Sequence, residues 1–318
     1  MTEISLIILL GFLGLVMGSF AGAQVWRIRA RQLRQDDENL HQLRAKKQLS
    51  KDEQEEKTYL QAESVNRRQE RAKLDVLLSK SATKDRSRCL KCSHELAWYD
   101  LLPVFSWLST GGKCRYCRQS IGLYEPLAEL ATAGLFAGSY IFWPLELVSS
   151  LEWLLFAVWL VAVVLMVVLF IYDKKWFILP DQINFGLAVV AALFASLVLL
   201  INDFSALSLA SLAGSVAIMS GIYLLLNVYS RGAWVGFGDV KLGVGLGLLL
   251  GSWPLAFLAL FLANLIGTLQ VLPGLISGRL NRQSQVPFGP LLIAGTVVAV
   301  LFGQIIIEQF FRLSLGLF

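Results

Sequence analysis

A series of apolar runs, each close to the length of a membrane-crossing helix, constrains this chain more than any other feature. A bilayer core about 30 Å thick takes roughly 20 helical residues. In lipid each backbone polar group must bond inside the protein, which selects helices or closed barrels. Candidate spans fall at about 4–26, 126–143, 151–172, 183–201, 207–229, 240–251, 255–276 and 288–307. The expected fold is therefore an all-α polytopic membrane protein of about eight transmembrane helices. Charge is segregated: of 28 Lys and Arg, 21 lie between Arg27 and Arg118. That basic excess belongs to one solvated insertion and to orientation signals, and it argues against nucleic acid as a partner.

The first run has no basic segment before it and arginines after it, so it reads as a retained anchor rather than a signal peptide. Arg27, Arg29 and Arg31 follow span one, Lys174 and Lys175 span three, Arg231 span five, and Arg279 and Arg282 span seven. The opposite connections, Pro144–Ser150, Asn202–Ala206 and Gly251–Pro254, carry no basic residue. By the positive-inside rule both termini face outward and the large loop is cytoplasmic. The sixth span, Val240–Gly251, is short, but Lys241 and Arg279 on one side require an even number of crossings between them. The expected organisation is an N-terminal transmembrane helix at 1–26, a cytoplasmic loop at 27–123 and a seven-helix membrane domain at 124–318.

Within the loop, residues 32–86 are charged, rich in helix formers and free of Gly and Pro. Their apolar residues Leu40, Leu43, Leu49, Leu60 and Val65 are too sparse for a sustained coiled-coil seam, so a solvated helix or helical pair is expected. Residues 87–120 hold all four cysteines, as Cys89-x-x-Cys92 and Cys114-x-x-Cys117. Two such pairs supply four soft ligands for a closed, structural tetrahedral zinc site. A reducing cytoplasm disfavours disulfides, and no thioredoxin-like context supports a redox pair. His94 is a rival ligand by proximity, but four thiolates already fill the shell.

Acids beside apolar spans are costly, about 2.5–3.5 kcal/mol for Asp at a helix centre. Glu129 reads as a snorkelling or base-paired residue, or as a functional one. Glu146, Glu152 and Asp203 read as interfacial or cap residues, and Asp181 in "ILPDQIN" as an N-cap. Asp173 ends the run "LVAVVLMVVLFIYD" just before Lys174 and Lys175, and Asp239 begins span six. The two share a depth and a side. Two carboxylates in one low-dielectric pocket hold one proton between them: the charged member takes a proton from water, and the neutral one donates to a scissile carbonyl. Gly236 and Gly238 remove bulk beside Asp239 and permit unusual backbone angles, so that an extended substrate can approach. Gly243, Gly245 and Gly247 read as helix-packing residues.

Five motifs in order, "MGSF" (Met17–Phe20), "RCLKC…WYDLLPVFSWL…GGKCRYCRQSIG", "YDKKWFILPDQIN", "GFGDVKL" and "VPFGP" (Val286–Pro290), resemble those of bacterial prepilin peptidases, or type IV leader peptidases. That family belongs to the GxGD class of membrane aspartic proteases, and the likeness covers nearly the whole chain. It implies catalysis by Asp173 and Asp239, substrate positioning by Gly236, Gly238 and Lys241, and a metal on Cys89, Cys92, Cys114 and Cys117. It further implies cytoplasmic-side removal of the basic leader of a prepilin or type II secretion pseudopilin, after a glycine, in a bacterial inner membrane. Asp36–Glu38 and Asp52–Glu56 would suit such a leader. N-methylation of the new terminus with S-adenosylmethionine is implied by the resemblance alone, as are membrane lipid and the pilus or secretion assembly machinery as partners.

Two other readings compete. A presenilin-like or signal-peptide-peptidase-like protease shares Tyr172-Asp173 and GFGD, but the cysteines, "LPDQIN" and "PFGP" in place of Pro-Ala-Leu argue against it. A non-catalytic ion carrier needs acids deep within spans, whereas Asp173 and Asp239 sit at a rim beside lysines.

Overall fold

The computed structural model describes residues 3–46, 50–78, 86–202, 204–279 and 286–314. Leu49, Asp203, Arg282 and the Val65 side chain, all considered above, lie outside the described residues. Among the described residues the regular elements are all helices, and the only β-pairing is two isolated bridges. The helices are α1 (Glu3–Ala45), α2 (Lys51–Leu74), α3 (Phe105–Ser109), α4 (Tyr124–Ile141), α5 (Ser150–Trp176), α6 (Asp181–Ile201), α7 (Ala206–Val216), α8 (Ile222–Ser230), α9 (Phe237–Leu250), α10 (Trp253–Ile276) and α11 (Gly289–Ser314). Six stretches are long and apolar enough to cross a membrane: α1, α5, α6, α7 through α8, α10 and α11. The other two expected spans form helices α4 and α9 but fall short of that standard. At about 1.5 Å per residue, the 14 residues of α9 reach about 21 Å, less than a bilayer core.

The chain divides into two compact units, one of residues 1–14 and 132–318, the other of 15–131. In the first, α9 lies against α6, α7, α11 and the π-helical segment Ala217–Gly221. Being apolar on all sides, α9 suits burial; Val240, Leu242, Leu246, Leu249 and Leu250 are all buried. Its glycines set how near the neighbours come. A Cβ on Gly243 would run into the Met219 carbonyl, and one on Gly247 would sit 2.8 Å from Val216 Cα. Two serines close the same seam, Ser215 Oγ donating to the Gly247 carbonyl at 2.8 Å and Ser220 Oγ to the Val240 carbonyl at 2.9 Å. The packing reading of these glycines is therefore borne out. The π turn lies at this contact, widening the helix where α9 presses closest. At the start of α5, Ser149 and Glu152 form a reciprocal cap, the role read for Glu152.

In the second unit α1 does not stop where its apolar run stops. It continues unbroken to Ala45, since nothing after Trp26 breaks a helix, and α2 returns beside it. Ala30, Leu33, Leu74 and Leu77 form one cluster between them, and Leu40, Leu43 and Leu60 a second. Arg29, only 1% exposed, is held by both carboxylate oxygens of Glu70 at 3.1 and 3.2 Å. Arg71 pairs with Asp37 at 2.6 Å. The charged segment is thus a helical pair with short apolar contacts instead of a continuous seam.

Gly243→Ala is expected to destabilise the detergent-solubilised protein by about 1–3 kcal/mol, the usual cost of overpacking. Gly134→Ala, in open space, should leave the thermal midpoint unchanged or higher. Equal midpoints for both variants would contradict the close approach of α9.

Candidate active site and metal centre

Asp173 lies one turn before the end of α5 and is 5% exposed. Phe177, left-handed at φ 56, ends that helix by donating its amide to the Asp173 carbonyl. The short link to α6 then carries Leu179, 9% exposed, into the interior. Asp239 sits in the first turn of α9, where unpaired amides and the helix dipole favour an anion. It lies within the electrostatic field of Asp173 and of Tyr223.

Leu179 and Gly289 connect the two acids. The Gly289 amide donates to Asp173 Oδ2 at 3.1 Å. A Cβ on Gly289 would lie 2.8 Å from that oxygen and 3.4 Å from Leu179, and one on Gly238 would lie 3.2 Å from Leu179. Phe288, next to Gly289, packs on Tyr223 with ring centroids 5.4 Å apart. The structure therefore brings Asp173 and Asp239 to one locus, with the Gly236–Asp239 and Val286–Pro290 motifs meeting there.

The expectation of unusual backbone angles at the glycines is corrected. Gly236 is extended at φ −70 and Gly238 is helical, conformations open to any residue. Gly238 is small because Leu179 lies against it, whereas Gly236 keeps its side exposed. Lys241 has a protein partner: its Nζ meets Asp181 Oδ1 at 2.7 Å, joining α9 to α6. Asp181 is the first residue of α6 rather than its cap, a position taken by Pro180. Asn184, 3% exposed, donates to the Gly238 carbonyl at 3.4 Å. Leu179 and Asn184 both lie in the "YDKKWFILPDQIN" segment, but their contacts with Gly238 are not legible there, since a leucine and an amide near a span look ordinary.

The four cysteines also come together, every Sγ within 4.8 Å of the others and Cys89 and Cys117 at 4.0 Å. Thiolates around a tetrahedral zinc stand ~3.8 Å apart for Zn–S bonds of ~2.3 Å, so the donor set and spacing fit a metal ion. The site is one turn built twice. The amides of Cys89 and Cys114 bond the carbonyls of His94 and Gln119, the amides of Ser93 and Arg118 return to Cys89 and Cys114, and Ser93 and Arg118 are left-handed at φ 61 and 59. This is an internal repeat that dissimilar side chains hide. Asp100 steadies the second turn, taking Arg115 Nε and Tyr116 OH at 2.9 Å each. Burial opposes ionisation of Asp100, but these donors and the Ala97 amide outweigh it and hold its carboxyl low. His94 is exposed and stacks on Tyr116 at 3.6 Å, outside the ligand set. Burial raises the Cys89 thiol, yet amides of Cys92 and Lys91 and neighbouring thiols bring it down to about 7. The same cluster pushes Cys117 up to about 11 despite an opposing bond from Gln119. A divalent ion bound here would displace thiol protons.

The description "Bacterial Peptidase A24 N-terminal domain" matches residues 12–143, and "Type IV leader peptidase family" matches residues 160–272. The chain is similar to the prepilin leader peptidase/N-methyltransferase of Bacillus subtilis (strain 168), 33% identical over 232 residues, 73% of this chain and 87% of the relative. The enzymes of that name from Aeromonas hydrophila, 32% identical over 223 residues (69% and 72%), and Burkholderia pseudomallei (strain 1026b), 33% over 222 residues (69% and 67%), are also similar. No solved structure matches the chain.

The purified protein should carry about one tightly held divalent ion per chain by elemental analysis. Cys114→Ser should lower both that occupancy and the thermal midpoint. Because ligation needs thiolates, metal affinity should fall as pH is lowered and protons compete for the four sulfurs. A metal-free yet fully stable wild type would exclude the centre.

Proposed function

We propose, from the fact that this chain belongs to the type IV leader peptidase family, that it is a membrane aspartic endopeptidase. It cuts the basic leader from prepilins or type II secretion pseudopilins and methylates the new N-terminus. The meeting of the segments that carry Asp173 and Asp239, with Gly289 on Asp173 and Leu179 against both Gly289 and Gly238, carries the peptidase reading. The two acids share one proton. The ionised carboxylate draws a proton from a water, which adds to the scissile carbonyl carbon, while the protonated one donates to its oxygen. Collapse of the tetrahedral intermediate then releases the amine, with the proton returned to nitrogen. The Gly289 amide fixes one oxygen of Asp173, so a defined face of that carboxylate meets the substrate. Exposed Gly236 leaves room for an extended peptide beside Asp239, and the Lys241–Asp181 pair holds the α9 terminus in position.

Cys89, Cys92, Cys114 and Cys117 hold a structural zinc, with no open coordination position and no part in hydrolysis. S-adenosylmethionine supplies an electrophilic methyl group. Eight crossings, counting α4 and α9, keep Arg27, Lys174, Arg231, Lys241 and Arg279 on the cytoplasmic side of the bacterial inner membrane. The substrate's hydrophobic helix stays among the lipids. Delivery from pilus or secretion assembly machinery completes the cycle.

With a prepilin-like substrate in proteoliposomes, Asp173→Ala and Asp239→Ala should each slow cleavage by about 10²–10⁴-fold or more. Gly289→Ala, which crowds Asp173 without removing the amide, should lower kcat with less change in KM. Mass spectrometry reads both the cut and a one-methyl gain dependent on S-adenosylmethionine. Cleavage at the normal rate by either aspartate variant sinks the dyad.

A further inference from the structure

Three polar side chains, Ser220, Tyr223 and Asn227, follow one another at helical spacing along the π turn and α8, on the side that meets α9. Two of them bond the backbone that frames Asp239. Ser220 Oγ donates to the Val240 carbonyl at 2.9 Å, and Asn227 Nδ2 donates to the Val235 carbonyl at 2.7 Å. As the numbering rises on one side of this contact it falls on the other. Tyr223, between the two bonds, therefore stands at the level of residues 236–239. Its nearness to Asp239 is also electrostatic, since the phenol lies in that carboxylate's field.

A regular helix could not present this face. Ser215, ahead of the π segment Ala217–Gly221, donates to α9 as well, at the Gly247 carbonyl. At about 100° per residue, Ser215 and Ser220 would point about 140° apart on an α-helix. The wider π turn takes up one extra residue and returns Ser220, and with it Tyr223, to the α9 side. Such turns recur at functional sites. Tyr223 is 5% exposed, and its ring packs on Phe288, the neighbour of the Gly289 amide that holds Asp173. The ring is thus fixed against the segments of both acids. Its hydroxyl is not: among the described residues it has no hydrogen-bond partner, yet the oxygen is not closed off from solvent. A buried tyrosine normally finds a partner for its O–H. Here the missing partner is a molecule that enters beside Asp239.

We infer that Tyr223 is a third catalytic group of the peptidase, its hydroxyl donating a hydrogen bond to the oxygen of the scissile carbonyl; this rests on the aspartic peptidase reading above. In that reading the protonated acid gives the same oxygen its proton as water adds to the carbon. A second donor already in place stabilises the negative charge while it builds, at no cost in reorganisation. No bond to Tyr223 forms or breaks, and the phenol keeps its proton throughout. An uncharged donor suits this place. A lysine or arginine here would pair with Asp239 and hold it ionised, so that the two acids could no longer share a proton.

Tyr223→Phe keeps the ring on Phe288 and removes only the hydroxyl. With a prepilin-like substrate in proteoliposomes it should lower kcat about 10²-fold and leave KM within about threefold, as for loss of one oxyanion donor. The loss should be uniform with pH, because the phenol carries no charge near neutrality. The pH of half-maximal rate, the thermal midpoint and the metal content should all match wild type. Tyr223→Leu, which also removes the ring, should lose thermal stability as well as rate. A wild-type kcat in Tyr223→Phe overturns the proposal and leaves the two acids untouched. A lowered thermal midpoint in that variant assigns the hydroxyl to structure, and a displaced half-maximal pH assigns it to the charge of Asp239; either overturns the substrate contact. A normal rate in Asp239→Ala removes the peptidase reading itself, and this donor with it.

Discussion

The approach of α9 to its neighbours, backbone to backbone, is the constraint on which the 132–318 region depends. A short helix cannot be secured by length, so it is secured by proximity. Gly243 and Gly247 bring it against the Met219 carbonyl and Val216, and Ser215 and Ser220 add hydrogen bonds to the carbonyls of Gly247 and Val240. Dispersion attraction falls steeply with separation, so contact of this kind stabilises strongly without any hydrophobic driving force from lipid. The consequence at the helix start is positional: Asp239 takes its place from a close-packed seam that begins at its neighbour Val240 and runs on through Gly243 and Gly247.

The 15–131 unit solves a different problem. It has few buried apolar residues beyond the α1–α2 clusters, and residues 86–97 and 110–123 lie outside its helices. Two matching turns whose four thiols meet, with Asp100 bonding across to Arg115 and Tyr116, tie together a segment that has little apolar core of its own. Trp107 belongs to the segment those turns enclose and is fixed there by the carbonyls of Ile121 and Gly122.

What could be read from the residues was whatever violated local expectation. Asp173 and Asp239 stood out because acids are expensive beside lipid, and the cysteines because their spacing has a coordination meaning. The length of α1 was less apparent. Hydropathy marks the end of a span, and the helix formers after Trp26 simply carry the same helix into water. Gly238 was read through backbone freedom when its smallness answers to Leu179, a residue that becomes informative only once α6 and α9 are side by side. Asn184 and the pairing of Lys241 with Asp181 were hidden for the same reason: each depends on contacts more than 50 positions apart. The two Cys-x-x-Cys pairs are plain in the sequence, but the extent of the shared turn is not, because the rest of it is a hydrogen-bond path with Ser93 and Arg118 in equivalent places.

Asp173 is oriented by a peptide N–H and not by another side chain. Such a donor is present whatever residue the gene specifies at position 289, proline excepted, so point mutations there alter fit while leaving the bond available. Evolutionary drift in this corner of the protein is therefore filtered by volume, and the proposed acid's alignment is inherited with the path of the main chain.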